Sequence, residues 1–120
     1  VLAYCDRMDL AYAVADLAVC RGGASTIAEL TATSTPAVIF PYPHHSDRQQ
    51  TLNAAGLVQC GAAVCVEEAG SRQGNAELLR KNMIPLMQDS QRLDIMRQAS
   101  GRQAKVSAAD DIARWLSGSE

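Results

Sequence analysis

Two consecutive glycines, Gly22 and Gly23, stand between a short apolar run and a run of good helix formers, Ala24, Ser25, Thr26, Ile27, Ala28 and Glu29. Glycine clusters at strand ends are common, and this one is defined by what flanks it. Residues 17–20 (Leu, Ala, Val, Cys) read as a buried parallel strand and the residues after the glycines as a helix, so the glycines mark a strand-to-helix corner. At such a corner the first N–H groups of the helix have no intrahelical partner, and the positive end of the helix dipole faces outward. A diphosphate can then be held by Gly22, Gly23, Ala24, Ser25 and Thr26 without a lysine. A tight turn with no ligand uses the same glycines, and this pattern alone does not separate the two.

A second polar cluster follows the next apolar run, 37–40 (Ala, Val, Ile, Phe), and again opens a helix. Asp47, Gln49, Gln50 and Asn53 carry carboxylate and amide groups at helical spacing, which suits a sugar ring presenting several hydroxyls. Asp47 reads equally well as a helix N-cap and Arg48 as a surface charge. His44 and His45 read as loop residues rather than bases.

The coarse pattern places strands at 1–3, 17–20, 37–40 and 62–66. Helices fall at about 7–15, 24–33, 47–58, 75–87, 91–105 and 110–116. This alternation predicts an α/β fold: a Rossmann-like parallel sheet with helices on both faces and ligands at the carboxyl ends of the strands. Residues 67–74 read as a flexible connection, and Pro85 is expected to end or kink its helix. The apolar positions of the last three helices, including Ile112, Trp115 and Leu116, read most simply as core.

With 120 residues and 48% hydrophobic content, the chain can bury one ordinary core, hence one domain. A net charge of −2 with 11 scattered Lys and Arg offers no basic surface for nucleic acid. No apolar run approaches the roughly 18 residues that span a bilayer, and no signal peptide opens the chain, so a soluble cytoplasmic domain is expected. Cys5, Cys20, Cys60 and Cys65 lie in or beside apolar runs without CxxC spacing. That favours reduced core thiols over a disulfide frame or a metal site, one built from His44, His45 and a cysteine included.

Taken as a pair, the glycine turn with Glu29 and the set from Asp47 and Arg48 through Gln49 and Gln50 to Asn53 resemble the donor-binding domain of family B glycosyltransferases, specifically family 28. The resemblance extends upstream through Tyr4, Cys5, Asp6, Arg7, Met8, Ala11, Tyr12 and Ala13, and downstream to Gly61, Ala62 and Ala63. Matched positions thus run from about residue 1 to residue 66, and only a helical pattern continues the match beyond. The family pattern usually has glycine where Ser34 stands, two residues before Pro36, and its 41–48 loop is one residue shorter.

The resemblance implies one half of a GT-B fold, with residues 1–120 as a C-terminal UDP-sugar domain and the N-terminal acceptor domain absent. It implies UDP-N-acetylglucosamine as substrate, no cofactor, and inverting, metal-independent transfer to the muramyl sugar of a lipid-linked acceptor in peptidoglycan synthesis. The lack of an Asp-x-Asp motif agrees with that. Uracil would be read near Tyr4, Cys5 and Met8, the diphosphate by residues 22–26, and N-acetylglucosamine by Asp47, Gln49, Gln50 and Asn53. Ribose would fall to Glu29, which otherwise reads as a solvated helix residue; Arg21 would touch phosphate or pair with a carboxylate of the fold. The catalytic base would belong to the N-terminal domain, so no catalytic residue is expected here and the chain alone should not turn over. The whole enzyme would sit on the cytoplasmic face of the membrane, with the last helix crossing to the other domain and Trp115 docking there. Two alternatives stand: a related family B transferase with another lipid or small-molecule acceptor, and a non-catalytic sugar-nucleotide-binding subunit needing a separate membrane partner.

Overall fold

The computed structural model describes residues 2–44 and 47–118. Three strands, β1 (Ala18–Cys20), β2 (Ala37–Ile39) and β3 (Ala63–Cys65), form a parallel sheet in the order β1-β2-β3. Ala37 pairs with Ala18 on one side and Ala63 on the other, and Ile39 likewise with Cys20 and Cys65. Six helices complete the described chain: α1 (Met8–Val14), α2 (Ala24–Ala32), α3 (Gln49–Gln59), α4 (Arg72–Met87), α5 (Ser90–Gly101) and α6 (Ala108–Ser117).

The apolar run of β2 is continuous because both faces of this strand are covered. Ala37 and Ile39 point to one side and pack with Leu30 of α2 and Ala54 and Leu57 of α3. Val38 and the following Phe40 point to the other, against Leu86 of α4 and Leu93 and Met96 of α5. Two half-cores thus flank one thin sheet, as the alternating pattern predicts. The connections α2 and α3 return the chain to the same end of the sheet, so the loops after β1, β2 and β3 gather at its carboxyl edge.

Several local expectations change. Residues 2 and 3 form no strand, and Leu2 is exposed, since no neighbouring strand offers them hydrogen bonds; Val1 lies outside the described residues. The 67–74 segment is tied down: Glu68 pairs with Arg21, Ala69 donates its N–H to Asn75 Oδ1 (2.7 Å), and the helix already starts at Arg72, capped by Ser71 Oγ. Pro85 does not end α4, which runs on to Met87. In the last turn a proline forfeits a single backbone hydrogen bond. α5 stops at Gly101, short of Lys105.

The apolar face of α6 is not core. The helix buries no residue, and Trp115 is 79% exposed, with Ile112 and Leu116 also open. Ser34 adopts a left-handed backbone (φ 56°) at the end of α2, the conformation glycine takes more easily. Its Oγ would stand 2.8 Å from a Cβ on Gly101, so the glycine lets α5 approach this corner closely with that side chain in place.

Candidate functional site at the carboxyl edge of the sheet

The corner after β1 has the predicted geometry. Gly23 precedes the first turn of α2 in an extended conformation, and no side chain caps the helix. After Gly22, the next backbone N–H of the corner with a partner is that of Ile27, which donates to Gly23 O (2.9 Å). Among the described residues, the N–H groups of Gly23, Ala24, Ser25 and Thr26 have no acceptor. Four donors thus stand open at the positive end of a nine-residue helix, the arrangement that helix N-termini use to hold anions.

Gly22 serves a different purpose. It is buried, and a Cβ there would lie 2.3 Å from the backbone oxygen of Gln50, so its backbone rests directly on the first turn of α3. Its N–H donates to Gln50 Oε1 (3.2 Å) and its carbonyl accepts from Asn53 Nδ2 (3.0 Å). The N–H of Tyr42, from the loop after β2, also donates to Gln50 Oε1 (2.8 Å), and Gln49 Nε2 donates to Asn53 Oδ1 (3.0 Å). The structure therefore brings Gln49, Gln50 and Asn53 together with the glycine turn, and much of their hydrogen-bonding capacity goes to holding it.

Asp47 lies just ahead of α3 and accepts from the N–H of Gln49 (3.1 Å), while Arg48, with a left-handed backbone, occupies the cap position and pairs with Glu67 (3.0 Å). The capping expectation for Asp47 thus falls one residue away. His44 stacks edge-on to Tyr42, with ring centres 5.2 Å apart; His45 lies outside the described residues. Of the two readings of Arg21, the structure contains the carboxylate pair. Its guanidinium pairs with Glu68, donates to Phe40 O (3.1 Å) and stands over the Tyr42 ring. Glu68 was hidden in the stretch read as a flexible connection; its place directly after β3, at the edge where this fold collects its sites, was the available signal. A cavity of about 450 Å³ opens beside this pair, lined by Cys20, Arg21, Phe40, Glu68 and Leu79.

Glu29, one turn beyond Thr26, is exposed, and its carboxylate faces the Tyr12 hydroxyl. Burial first, and then this carboxylate, push the phenol up to about 12. Because the charged form of a phenol is the deprotonated one, the folded protein holds this proton more tightly than the unfolded chain. The resulting stabilisation is complete below the ordinary tyrosine value of about 10 and is lost as pH rises through about 12. The difference in ultraviolet absorbance titration between the chain and its Tyr12→Phe variant should isolate one ionisation near pH 12; a step near the ordinary value would remove the Tyr12–Glu29 contact from the site. Tyr4 and Met8 are exposed and Cys5 is half-buried, and no hydrogen bond or ion pair among the described residues joins them to the glycine turn.

All four cysteines are free, and burial raises the thiols of Cys20 and Cys65. Among the described residues no group of three or more His, Cys, Asp or Glu is placed to hold a metal ion. No described helix is long and apolar enough to cross a membrane.

Comparison with known proteins adds four findings. The family model for the glycosyltransferase family 28 C-terminal domain matches residues 1–113. A UDP-N-acetylglucosamine–N-acetylmuramyl-(pentapeptide) pyrophosphoryl-undecaprenol N-acetylglucosamine transferase from Anaeromyxobacter sp. (strain Fw109-5) is 43% identical over 106 residues, covering 88% of this chain and 27% of that protein. The transferase of the same name from Salinibacter ruber (strain DSM 13855 / M31) is 44% identical over 114 residues, covering 95% and 30%. The crystal structure of Acinetobacter baumannii MurG superposes with a TM-score of 0.87 at 30% identity, over 98% of this chain and 33% of that one. The chain therefore spans less than a third of the length of the curated relatives named here.

Proposed function

The chain belongs to the glycosyltransferase family 28 C-terminal domain family, and from that premise we propose that it is the UDP-N-acetylglucosamine-binding half of an enzyme that transfers N-acetylglucosamine to the muramyl sugar of a lipid-linked peptidoglycan precursor. The relatives' names supply the donor and acceptor, and one observation carries the reading onto this chain: four unpartnered N–H groups, from Gly23 to Thr26, open the helix that carries Glu29.

The diphosphate sits on those N–H groups with Gly22 as the packed floor beneath it. Glu29, oriented by the Tyr12 hydroxyl, accepts the ribose hydroxyls, and uracil lies towards Tyr4, Cys5 and Met8. Asp47, Gln49, Gln50 and Asn53 face the sugar with the polar atoms that the turn leaves free. As the bond from the anomeric carbon to the diphosphate breaks, negative charge grows on the leaving oxygen. A helix N-terminus already aimed at that oxygen stabilises the transition state more than the ground state, so an inverting displacement can proceed without a metal. The acceptor hydroxyl and the base that activates it come from an N-terminal domain, against which the open apolar face of α6 docks. The assembled enzyme works peripherally on the cytoplasmic face of the membrane, where its lipid-linked acceptor lies.

Calorimetric titration with UDP-N-acetylglucosamine, UDP-galactose and UDP tests the donor site directly. The N-acetylglucosamine nucleotide should bind most tightly, and Glu29→Ala should weaken all three by about tenfold or more, equivalent to ~1.4 kcal/mol. Equal affinity for all three ligands would move the assignment to another family B donor. Undiminished binding by Glu29→Ala would remove the ribose role.

A further inference from the structure

We propose that Gln50 is a positioning residue for the nucleotide: its side-chain oxygen sets the phosphate turn, so affinity for the diphosphate depends on a residue assigned to the sugar. The proposal rests on the donor reading above. An amide oxygen has two acceptor sites, and Gln50 Oε1 uses them on two backbone N–H groups from different loops, Gly22 after β1 (3.2 Å) and Tyr42 after β2 (2.8 Å). Asn53, one turn along α3, closes the clasp by donating to Gly22 O (3.0 Å).

Both backbone polar groups of Gly22 are thereby held by side chains of α3, and the missing Cβ lets the turn rest on the Gln50 backbone. Gly22 immediately precedes the four open donors, so the direction in which those N–H groups point follows from how Gly22 is seated. A helix N-terminus stabilises charge only where its donors are already aimed, because reorienting them on binding consumes part of the interaction. With Oε1 occupied, Gln50 offers a ligand only its Nε2 hydrogens. One side chain thus holds the turn with its oxygen and presents its nitrogen to the sugar.

Two variants of the 120-residue chain separate the halves of this side chain: Gln50→Met keeps the length and loses the acceptor, whereas Gln50→Glu keeps an acceptor and loses the NH₂. Amide hydrogen exchange without ligand should quicken at Gly22 and Tyr42 by about tenfold or more in Gln50→Met, corresponding to the loss of one modest hydrogen bond at each. Exchange at Val38 in the buried β2 should not change, which shows that the fold is intact. Gln50→Glu should retain the protection at both positions. UDP, which carries no sugar, should bind Gln50→Met about tenfold more weakly than the parent chain, with a smaller loss in Gln50→Glu. Unchanged exchange at Gly22 and Tyr42 in Gln50→Met would overturn the proposal. So would unchanged UDP affinity accompanied by a loss confined to UDP-N-acetylglucosamine, which would make Gln50 a sugar contact only. If the parent chain binds no UDP while the exchange result holds, the donor reading fails and the clasp stands.

Discussion

Leu30→Ala is expected to cost about 2–5 kcal/mol, the range for emptying a fully buried leucine site. Leu30 has no exposed surface and anchors α2 to Ala37 and Ile39 of the sheet and to Ala54 and Leu57 of α3. Its carbonyl accepts from the buried hydroxyl of Ser100 and from the N–H of Thr35, so the surrounding backbone is held at both neighbours and cannot easily collapse into the void. A domain of this size typically has about 5–15 kcal/mol of total stability. Chemical denaturation followed by circular dichroism should therefore show a midpoint well below that of the parent chain with an unchanged slope. A loss under about 1 kcal/mol would mean that α2 is not seated on the sheet as described.

Gly22→Ala acts on stability and on the site together. The added methyl would stand 2.3 Å from the backbone oxygen of Gln50, a contact that real Cβ atoms essentially never make, and the obstacle is backbone rather than a flexible side-chain tip. Either the corner or the first turn of α3 must move, at a cost of about 1–3 kcal/mol. Movement of the corner also breaks the bonds from Gly22 N–H to Gln50 Oε1 and from Asn53 Nδ2 to Gly22 O. Nucleotide affinity should then fall by about tenfold or more in calorimetry, in addition to a lower denaturation midpoint. Gly23→Ala provides the contrast. Its backbone is extended with negative φ, and a Cβ there would meet only Thr26 Oγ1 at an ordinary 3.6 Å, so that variant should fold as stably as the parent. Loss of stability in Gly23→Ala equal to that in Gly22→Ala would show that the corner is sensitive for another reason.

The two glycines are adjacent in sequence and look interchangeable there. Only one touches a distant backbone, and its partner is 28 residues further along the chain. The same distance separates what was legible at Gln50 and Asn53 from what was not: their spacing marked one helix face, but nothing local indicated that the face closes on Gly22. Arg21 pairs with Glu68 across the ends of three strands, through a segment whose composition suggested only a connection. In α6 the periodicity of Ile112, Trp115 and Leu116 suggests core, whereas the structure leaves that face exposed. An amphipathic pattern states that a face is apolar and not what covers it.

Short-range chemistry was enough to determine the alternation of strands and helices from β1 onward, the parallel sheet, and the edge where polar residues collect. Hydrophobic period, glycine at a corner and unpaired N–H groups at a helix start are properties of neighbouring residues. Tertiary structure alone decided which polar atoms the fold consumes and which it leaves open to a ligand, because each hydrogen bond that uses them joins residues brought together only when the helices pack across the sheet.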